Sequence, residues 1–238
     1  MRVARIAVVI PARDEEALMA RCLESVLAAR RVVEARMRGV SVSVVVVADS
    51  CVDATAEVAR GFDDVTVIEV SAKNVGTARA AGVETALGLV GGPDTLWIAN
   101  TDADSVVPRR WLYEHARLAS LGADLVIGTV RPEFADLSPD QVRAWQATHT
   151  RGTANGHVHG ANLGVRATTY LAAGGFPGLA EHEDVRLVER CLACGATGAA
   201  SAQCEVVTSG RQVGRTPGGY ARHLRTELTA SVAPPIPG

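Results

Sequence analysis

The sequence predicts an α/β protein with three layers and a largely parallel central sheet. Short apolar runs alternate with helical segments four times within residues 5–104, as in a sheet whose parallel strands are joined by helices. Each run is followed directly by polar residues, and ligands bind beyond the carboxyl ends of the strands in such sheets. The chain of 238 residues has no Pro- or Ser-rich linker, so we expect a single domain over residues 1–238.

The first strand is expected at residues 5–11, a continuous apolar run that ends in proline, as in a parallel strand buried on both faces. The helix after it should begin near the acidic residues 14–16, which suit a helix N-terminus. Its apolar residues recur at helical spacing: Leu18, Cys22, Leu23, Val26 and Leu27. The β-branched run 42–48 predicts the second strand, and Asp53 is expected to cap the next helix.

Two further strands complete the alternating pattern. Residues 65–70 (VTVIEV) predict the third strand, and residues 95–99 (TLWIA) predict the fourth. Between them, an Ala-rich helix should open at Asn74 and end at Gly91, because glycine suits the residue that follows a helix.

The order of elements changes in the second half of the chain. A helix is expected at residues 108–121 and an apolar strand at 123–130. The sequence after this strand is less regular and contains several glycines: Gly152, Gly156, Gly160 and Gly164. We therefore expect a mixed region that is continuous with the first sheet.

Composition argues against several classes of protein. The 24 Lys and Arg residues and 26 Asp and Glu residues give a formal charge of −2, and aromatic residues make up 4% of the chain. Without a basic excess or many rings for base stacking, nucleic-acid binding is not expected. The most apolar run, residues 42–48, is far shorter than the ~20 residues of a spanning helix. No signal-peptide pattern is found either, so we expect a cytoplasmic protein without a membrane span.

The five cysteines argue against a disulfide framework because they are odd in number and scattered. Cys191 and Cys194 form a C-x-x-C pair. No second pair or suitably spaced histidine completes a zinc site around them. We interpret both as core thiols of a helix.

The strongest signal for chemistry is the pair Asp102 and Asp104, which follows the apolar residues 96–99. Two carboxylates two residues apart on an extended segment can reach one hard divalent cation, which also takes oxygens from a diphosphate. The chain contains no G-x-x-x-x-G-K-[ST], and no G-x-G-x-x-G follows the first strand. A Walker nucleotide site is therefore excluded, and a dinucleotide-binding Rossmann domain is disfavoured.

An ordered set of segments resembles the family 2 glycosyltransferases with the GT-A fold, over about residues 5–210. The segments are VVIPARDEE (8–16), VADSCVDAT (47–55), NVGTARAAG (74–82), NTDAD (100–104), GANLGVR (160–166), GGFP (174–177) and EDVRLVERCLACG (183–195). Each is weakly specific alone, whereas the set in this order is highly specific. The chain departs from the family where D-D-G-S becomes ADSC (48–51), which keeps only the second aspartate, and where Arg-Asn becomes RA (79–80).

The resemblance implies a GT-A type α/β/α sandwich of three layers, with a mostly parallel central sheet and a mixed C-terminal acceptor region. It implies a nucleotide-binding half at about residues 1–104, an acceptor and catalytic half at about 105–210, and a C-terminal loop and tail at 211–238. The implied activity is metal-dependent transfer of a sugar, with inversion, from a nucleoside diphosphate sugar to an acceptor hydroxyl. The acceptor is not identified, and a homo-oligomer is compatible with the sequence.

The resemblance also implies which residues bind the nucleotide. Pro11, Ala12 and Glu15 would line the nucleotide pocket. Asp49 would hydrogen-bond the base, and a carboxylate suits the N–H edge of uracil or guanine. We therefore expect a donor of the UDP or GDP type.

Further residues are placed by the resemblance at the sugar and at the metal. Asn74, Gly76 and Arg79 lie where the family has its nucleotide and sugar contacts. Asp102 would touch the ribose or the sugar, and Asp104, together with Asp102, would hold Mn²⁺ or Mg²⁺.

A basic segment near the end of the chain contains Arg211 and Arg215 among the glycines Gly214, Gly218 and Gly219. Flexible segments of this composition can close over a diphosphate, because arginine binds phosphate oxygens in a bidentate manner. We therefore include both arginines among the donor-binding candidates, against the alternative of an ordinary surface loop.

Glu183 and Asp184 match the acidic pair that the family carries at the start of a helix near the acceptor. Inverting transfer needs a base that removes the acceptor proton while the hydroxyl attacks the anomeric carbon. Asp184 is the candidate base, with Glu183 or His182 as the fallback. His157 and His159 could place two imidazoles on one side of an extended segment, near the acceptor or the metal.

Two alternative functions stay open from the sequence. A sugar nucleotidyltransferase has a similar core, but it normally carries a Gly- and Lys/Arg-rich triphosphate loop after the first strand, and PARDEE (11–16) lacks those glycines. A catalytically silent nucleotide-sugar-binding module would fit the departure at residues 48–51. The presence of Asp102, Asp104 and Asp184 argues against that module.

Overall fold

The computed structural model of the protein describes residues 3–150, 152–154, 156–214 and 218–228. These residues form one sheet of eight strands: β1 (Arg5–Ala12), β2 (Ser41–Asp49), β3 (Val65–Val70), β4 (Leu96–Asn100), β5 (Ser105–Val106), β6 (Leu125–Pro132), β7 (Leu163–Arg166) and β8 (Gly198–Thr208). The helices are α1 (Glu16–Arg36), α2 (Thr55–Arg60), α3 (Val75–Val90), α4 (Trp111–Ser120), α5 (Pro139–Thr148), α6 (Ala167–Ala172) and α7 (Glu183–Ala193).

The strand order across the sheet is β3-β2-β1-β4-β7-β6-β8-β5. The first four strands along the chain are parallel to one another, and their register pairs Ala12 with Ala48 at the ends of β1 and β2. Strand β7 then runs antiparallel to both β4 and β6, while β6 and β8 are parallel. The carboxyl ends of β1, β2, β3 and β4 therefore meet at one edge of the sheet, as expected from the sequence.

Two hydrophobic cores lie on opposite faces of the sheet and produce three layers. Ile6, Val8 and Ile10 of β1 pack into the core that holds α1 and α4. Ala7 and Val9 of the same strand pack into the core that holds α3, α6 and α7. This alternation follows from the period of two along a strand, and burial on both faces explains why the strand is a continuous apolar run.

A third, smaller cluster joins α5 to the C-terminal part of the described chain. Its buried members are Ala144, Trp145, Leu224 and Leu228. Ser138 caps α5 in a capping box with Gln141, and a helical turn at Tyr220–Arg222 continues as the π-helix His223–Glu227. The segments of this third cluster lie near the carboxyl ends of β1, β2 and β4, since residues of both regions line one cleft.

The elements from β1 to β4 lie within two residues of their predicted bounds. The prediction was wrong for the residue that caps α2. Ala54 occupies the cap position, whereas Asp53 Oδ1 accepts a hydrogen bond from the Thr55 N–H at 3.0 Å. Asp53 Oδ2 accepts a second bond from the Glu16 N–H at 3.0 Å. Asp53 therefore joins the starts of two helices instead of capping one.

The region expected to be irregular contains α5 and β7, which the sequence did not reveal. Gly164 belongs to β7 and pairs with Ala99, so it is a strand residue and not a loop residue. A side chain at this position would collide with His115 and Trp97.

The cysteines all lie within the described ranges and are all free. Cys191 is buried in the core of α7, as predicted, whereas the prediction was wrong for Cys194, which is exposed where α7 ends. In the described part of the chain, no helix combines the length and apolar character needed to cross a membrane.

Candidate active site

A cleft of about 930 Å³ opens at the carboxyl ends of β1, β2 and β4. It extends from these strand ends past the start of α7 to the C-terminal segment. Most of the predicted site residues line it: Pro11, Ala12, Glu15, Asp49, Asn74, Arg79, Asp102, Asp104, Glu183, Asp184 and Arg211. The three histidines singled out in the sequence, His157, His159 and His182, line it too. Arg215 lies outside the described residues.

Gly76 is not among the residues that line the cleft. Its N–H donates to the Leu179 carbonyl at 3.1 Å, and a Cβ at this position would collide with the carbonyl oxygen of Pro177. Residues 177–179 pass so close to the first turn of α3 that only glycine fits at position 76. The structure therefore explains this glycine by packing, and a contact between Gly76 and the donor is not needed to explain it.

Asp49 is 4% exposed at the end of β2, and backbone donors occupy its carboxylate. Oδ1 accepts from the N–H groups of Ala72 and Lys73, and Oδ2 accepts from the N–H of Asn74, each at 2.8 Å. Asp49 thereby fixes the loop that leads into α3, where Asn74 caps the helix by accepting from the Thr77 N–H. Its hydrogen bond to a base stays a prediction, and the base would share oxygens that already have partners.

Asp104 and Glu15 both form ion pairs with Arg211. The guanidinium nitrogens lie 2.9 Å from Asp104 Oδ2 and 2.6 Å from Glu15 Oε1. Asp104 Oδ1 accepts from the hydroxyls of Ser105 and Thr208 at 3.2 Å and 3.1 Å. Burial and the charge of Asp102 raise the pKa of Asp104, and the nearby Arg211 opposes this rise. An arginine thus balances the charge of Asp104.

The donor atoms at Asp102 and Asp104 suit a hard divalent cation, because carboxylate oxygens are the ligands that Mg²⁺ and Mn²⁺ prefer. Asp102 is about a third exposed, and within the described chain its Oδ2 has no hydrogen-bond partner. In the described residues, Asp102 and Asp104 do not belong to a group of three or more close ligand atoms that could hold a metal without a bound ligand. Among the described residues, the group with that geometry is Asp14, Cys51 and Asp53, and none of the three lines the cleft. A cation held by Asp102 and Asp104 would therefore complete its coordination with phosphate oxygens of a ligand.

Arg79 connects the two sides of the cleft, although it is only 2% exposed. Its Nη2 donates to Asp102 Oδ1 at 2.6 Å, and its Nε donates to Glu183 Oε1 at 3.0 Å. Burial alone would lower the pKa of Arg79, but the charges of Asp102 and Glu183 outweigh burial and raise it. Arg79 therefore stays cationic and holds the carboxylate after β4 against the carboxylate that begins α7.

Asp184 is the more exposed member of the acidic pair, and backbone donors hold its carboxylate. Oδ2 accepts from the Gly160 N–H at 2.6 Å, and Oδ1 accepts from the Val185 N–H at 2.8 Å. Glu183 is 5% exposed, and burial raises its pKa despite the ion pair with Arg79. Asp184 is thus better placed than Glu183 to face a substrate.

Sequence reasoning missed several further residues that line the cleft: His149, Glu181, Tyr220 and His223. Glu181 accepts a hydrogen bond from the Gly218 N–H at 2.6 Å. The sequence gives no signal for these contacts, because they join segments that lie up to about 70 residues apart and their spacing fits no motif.

The family described as Glycosyl transferase family 2 matches residues 7–170 of the chain. The structure of S. aureus TarS 1-349 superimposes with a TM-score of 0.64 and 14% identity, covering 87% of this chain and 61% of that one. The mannosyltransferase PcManGT from Pyrobaculum calidifontis, in complex with GDP-Man and Mn²⁺, gives 0.62 and 22%, covering 90% and 59%. The M. tuberculosis glucosyl-3-phosphoglycerate synthase with uridine diphosphate gives 0.56 and 16%, covering 96% and 79%.

These identities are low, so the structural likeness bears on the fold alone and confirms the predicted GT-A type. The chain spans less than two thirds of the length of the TarS and PcManGT structures. No curated protein is significantly similar to the chain in sequence.

Proposed function

Because the chain belongs to glycosyl transferase family 2, we propose that it transfers a sugar from a nucleoside diphosphate sugar to an acceptor hydroxyl. The transfer depends on Mn²⁺ or Mg²⁺ and inverts the anomeric centre. The observation that carries this proposal is the bridge formed by Arg79. One guanidinium contacts both Asp102, on the donor side, and Glu183, next to the candidate base. Donor and acceptor groups therefore lie close enough for direct transfer.

In this proposal, residues up to about 104 bind the nucleotide, with the base beyond the ends of β1 and β2. Asp102 and Asp104 would hold the metal, and a bound divalent cation would supply positive charge against the departing diphosphate. Arg211 is released from Asp104 and turns to the phosphate oxygens, which guanidinium groups bind well. Donors of the GDP or UDP type are supported by the two relatives whose structures contain GDP-Man and uridine diphosphate.

Residues from about 105 to 210 hold the acceptor and the base. Asp184 accepts the proton of the acceptor hydroxyl as the oxygen attacks the anomeric carbon. The new C–O bond forms while the bond from that carbon to the phosphate oxygen breaks, and the nucleoside diphosphate leaves on the opposite face. One displacement of this kind inverts the centre.

The decisive variant is Asp184→Asn, which keeps the size of the side chain but cannot accept the proton. Donor binding should survive, while turnover should fall by about 10²–10⁴-fold, the usual cost of losing a general base. The matched control is Glu189→Gln on the exposed face of the same helix, where Glu189 forms an ion pair with Arg186. Calorimetry measures donor binding, and an NMR coupling constant of the product gives its anomeric configuration.

Either of two results would overturn the mechanism. Unchanged turnover in Asp184→Asn would move the base to Glu183 or His182. A product that keeps the configuration of the donor would exclude a single displacement.

A further inference from the structure

Six aromatic side chains that the donor contacts do not use form one continuous series, here called the ring wall. Its members in spatial order are Trp145, His149, His157, His159, Tyr220 and His223. The centroids of successive rings lie 4.2, 6.5, 6.2, 5.7 and 6.0 Å apart. All of them except Trp145 line the cleft. Residues from three separate segments thus build one surface.

The ring wall begins directly beside the candidate base. His159 precedes Gly160, whose N–H donates to Asp184 Oδ2 at 2.6 Å. The charge of Asp184 also acts on the His159 ring. A molecule that places a hydroxyl at Asp184 therefore has the ring wall next to it.

The charges around the ring wall disfavour an anionic ligand. The charged side chains that line this end of the described cleft include Glu181, Glu183 and Asp184, while Arg79 is taken up by two carboxylates. Burial lowers the pKa of His159 to about 4 and also lowers the pKa of His149, so both imidazoles are neutral at neutral pH.

The other lysine and arginine side chains that line the described cleft are Arg13, Lys73 and Arg211, and Arg13 directly follows β1. Arg211 is paired with Glu15 and Asp104. Lys73 lies in the loop that Asp49 fixes. A phosphate or carboxylate on the acceptor would therefore meet the carboxylates of Glu181, Glu183 and Asp184 at this end of the described cleft, where Arg79 already has two carboxylate partners.

We propose that the ring wall is the acceptor subsite and that it binds a neutral sugar ring. A sugar presents an apolar C–H face, which packs on aromatic rings, and a rim of hydroxyls, which pair with imidazole nitrogens and the Tyr220 hydroxyl. A surface whose rings carry imidazole nitrogens and a phenol hydroxyl matches this combination better than it matches a lipid chain. The inference rests on the proposed function, because it assumes that the hydroxyl at Asp184 is the one that reacts.

The test uses saturation-transfer NMR on the full chain in the presence of Mn²⁺ and UDP or GDP. The probes are methyl α-D-glucopyranoside and methyl α-D-mannopyranoside as neutral sugars, glucose 6-phosphate as the anion, and glucosamine as the cation. At least one neutral glycoside should receive saturation on its ring protons and should bind more tightly than the two charged probes. Tighter binding of glucose 6-phosphate or glucosamine would overturn the assignment to a neutral ring.

Variants then connect binding to the rings. Tyr220→Ala should weaken the neutral glycoside by roughly three- to tenfold, the size of one lost ring contact. Tyr220→Phe should keep most of the affinity because it keeps the ring. His157→Ala is a second variant at an exposed position. The control Tyr113→Ala removes a ring that packs on Arg36 and Arg110 and does not line the cleft.

Two outcomes separate this inference from the proposed function. If glycoside binding is unchanged in both Tyr220→Ala and His157→Ala while the nucleotide still binds, the ring wall is not the subsite. If calorimetry shows that neither UDP nor GDP binds to the unaltered chain, the proposed function itself fails.

Discussion

Arg79 combines deep burial with two ionic partners, and this makes it the residue whose removal should disturb the site most. Arg79→Met should destabilise the fold by about 3–5 kcal/mol, because the change leaves the buried carboxylate of Glu183 without a cation. The double variant Arg79→Met/Glu183→Gln should recover part of this loss, since it removes the uncompensated charge. Urea unfolding of both variants checks the prediction, and a double variant less stable than Arg79→Met alone would contradict it.

Asp104 should carry the metal dependence of nucleotide binding. Asp104→Asn removes the charge, while its amide oxygen can still accept from Ser105 and Thr208. The gain in nucleotide affinity on adding Mn²⁺ should fall at least about tenfold, since losing a ligand costs no less than losing a residue that orients one. Titration calorimetry with and without Mn²⁺ measures the gain. Asp140→Asn, at an exposed position on α5, serves as the control.

At the scale of elements, two of the three glycines of α3 are in opposite situations. A Cβ at Gly82 would lie 2.5 Å from Val9 Cγ1 and 2.9 Å from Val47 Cγ2, because α3 packs tightly on β1 and β2 there. A Cβ at Gly88 would meet nothing within 4 Å. Gly82→Ala should therefore destabilise the protein by about 1–3 kcal/mol through overpacking. Gly88→Ala should stabilise it by about 1 kcal/mol through helix propensity. Thermal unfolding distinguishes the two, and equal shifts would show that helix packing does not decide the difference.

Burial on both faces explains which elements could be predicted from the sequence. The strands β1, β2 and β4 are continuous apolar runs, so their patterns are visible without the fold. In contrast, β7 has four residues and ends in Arg166, which is buried but paired with Asp124. A short strand with a buried charge has no apolar signature, and its pairing with β4 and β6 is visible only in the folded structure.

The same reasoning applies to the candidate site. Polar residues directly after strands could be found, because chain order alone brings them to one edge. The ion pairs made by Arg79 and Arg211 could not be found, because the partners are far apart in the chain. Arg79 and Glu183 are separated by 104 positions, and Arg211 and Glu15 by 196 positions. The sequence also could not show which side chains already have hydrogen-bond partners. It suggested Asp49 as a base-binding group, but three backbone N–H groups already donate to the Asp49 carboxylate.

For the molecule as a whole, His115 couples stability to pH. It lies buried where α4 meets the junction of β4 and β7, between Trp97 and Asn162. Burial lowers its pKa from 6.5 to about 4, so the folded protein keeps the ring neutral while the unfolded chain takes up a proton below pH 6.5. The stability contributed by this group should therefore fall as the pH drops from about 6.5 to about 4, by about 3 kcal/mol.

The measurement compares urea unfolding of the protein and of His115→Gln between pH 7 and pH 4.5. Glutamine can accept from Trp97 and donate to Asn162 but does not titrate in this range. The variant should lose stability less steeply on acidification. Parallel pH profiles would exclude His115 as a source of the dependence.

The stacking of Trp145 on His149 also has an optical consequence. The chain has three tryptophans. Trp97 of β4 and Trp111 at the start of α4 are fully buried. Trp145 lies in the small cluster beside the cleft, with its ring centroid 4.2 Å from that of His149 and its ring nearly parallel to it. An imidazole in this position quenches indole emission when it is protonated. The protein therefore carries an intrinsic fluorophore at one end of the ring wall, and its emission should respond to acid and to occupancy of the neighbouring rings without any attached dye.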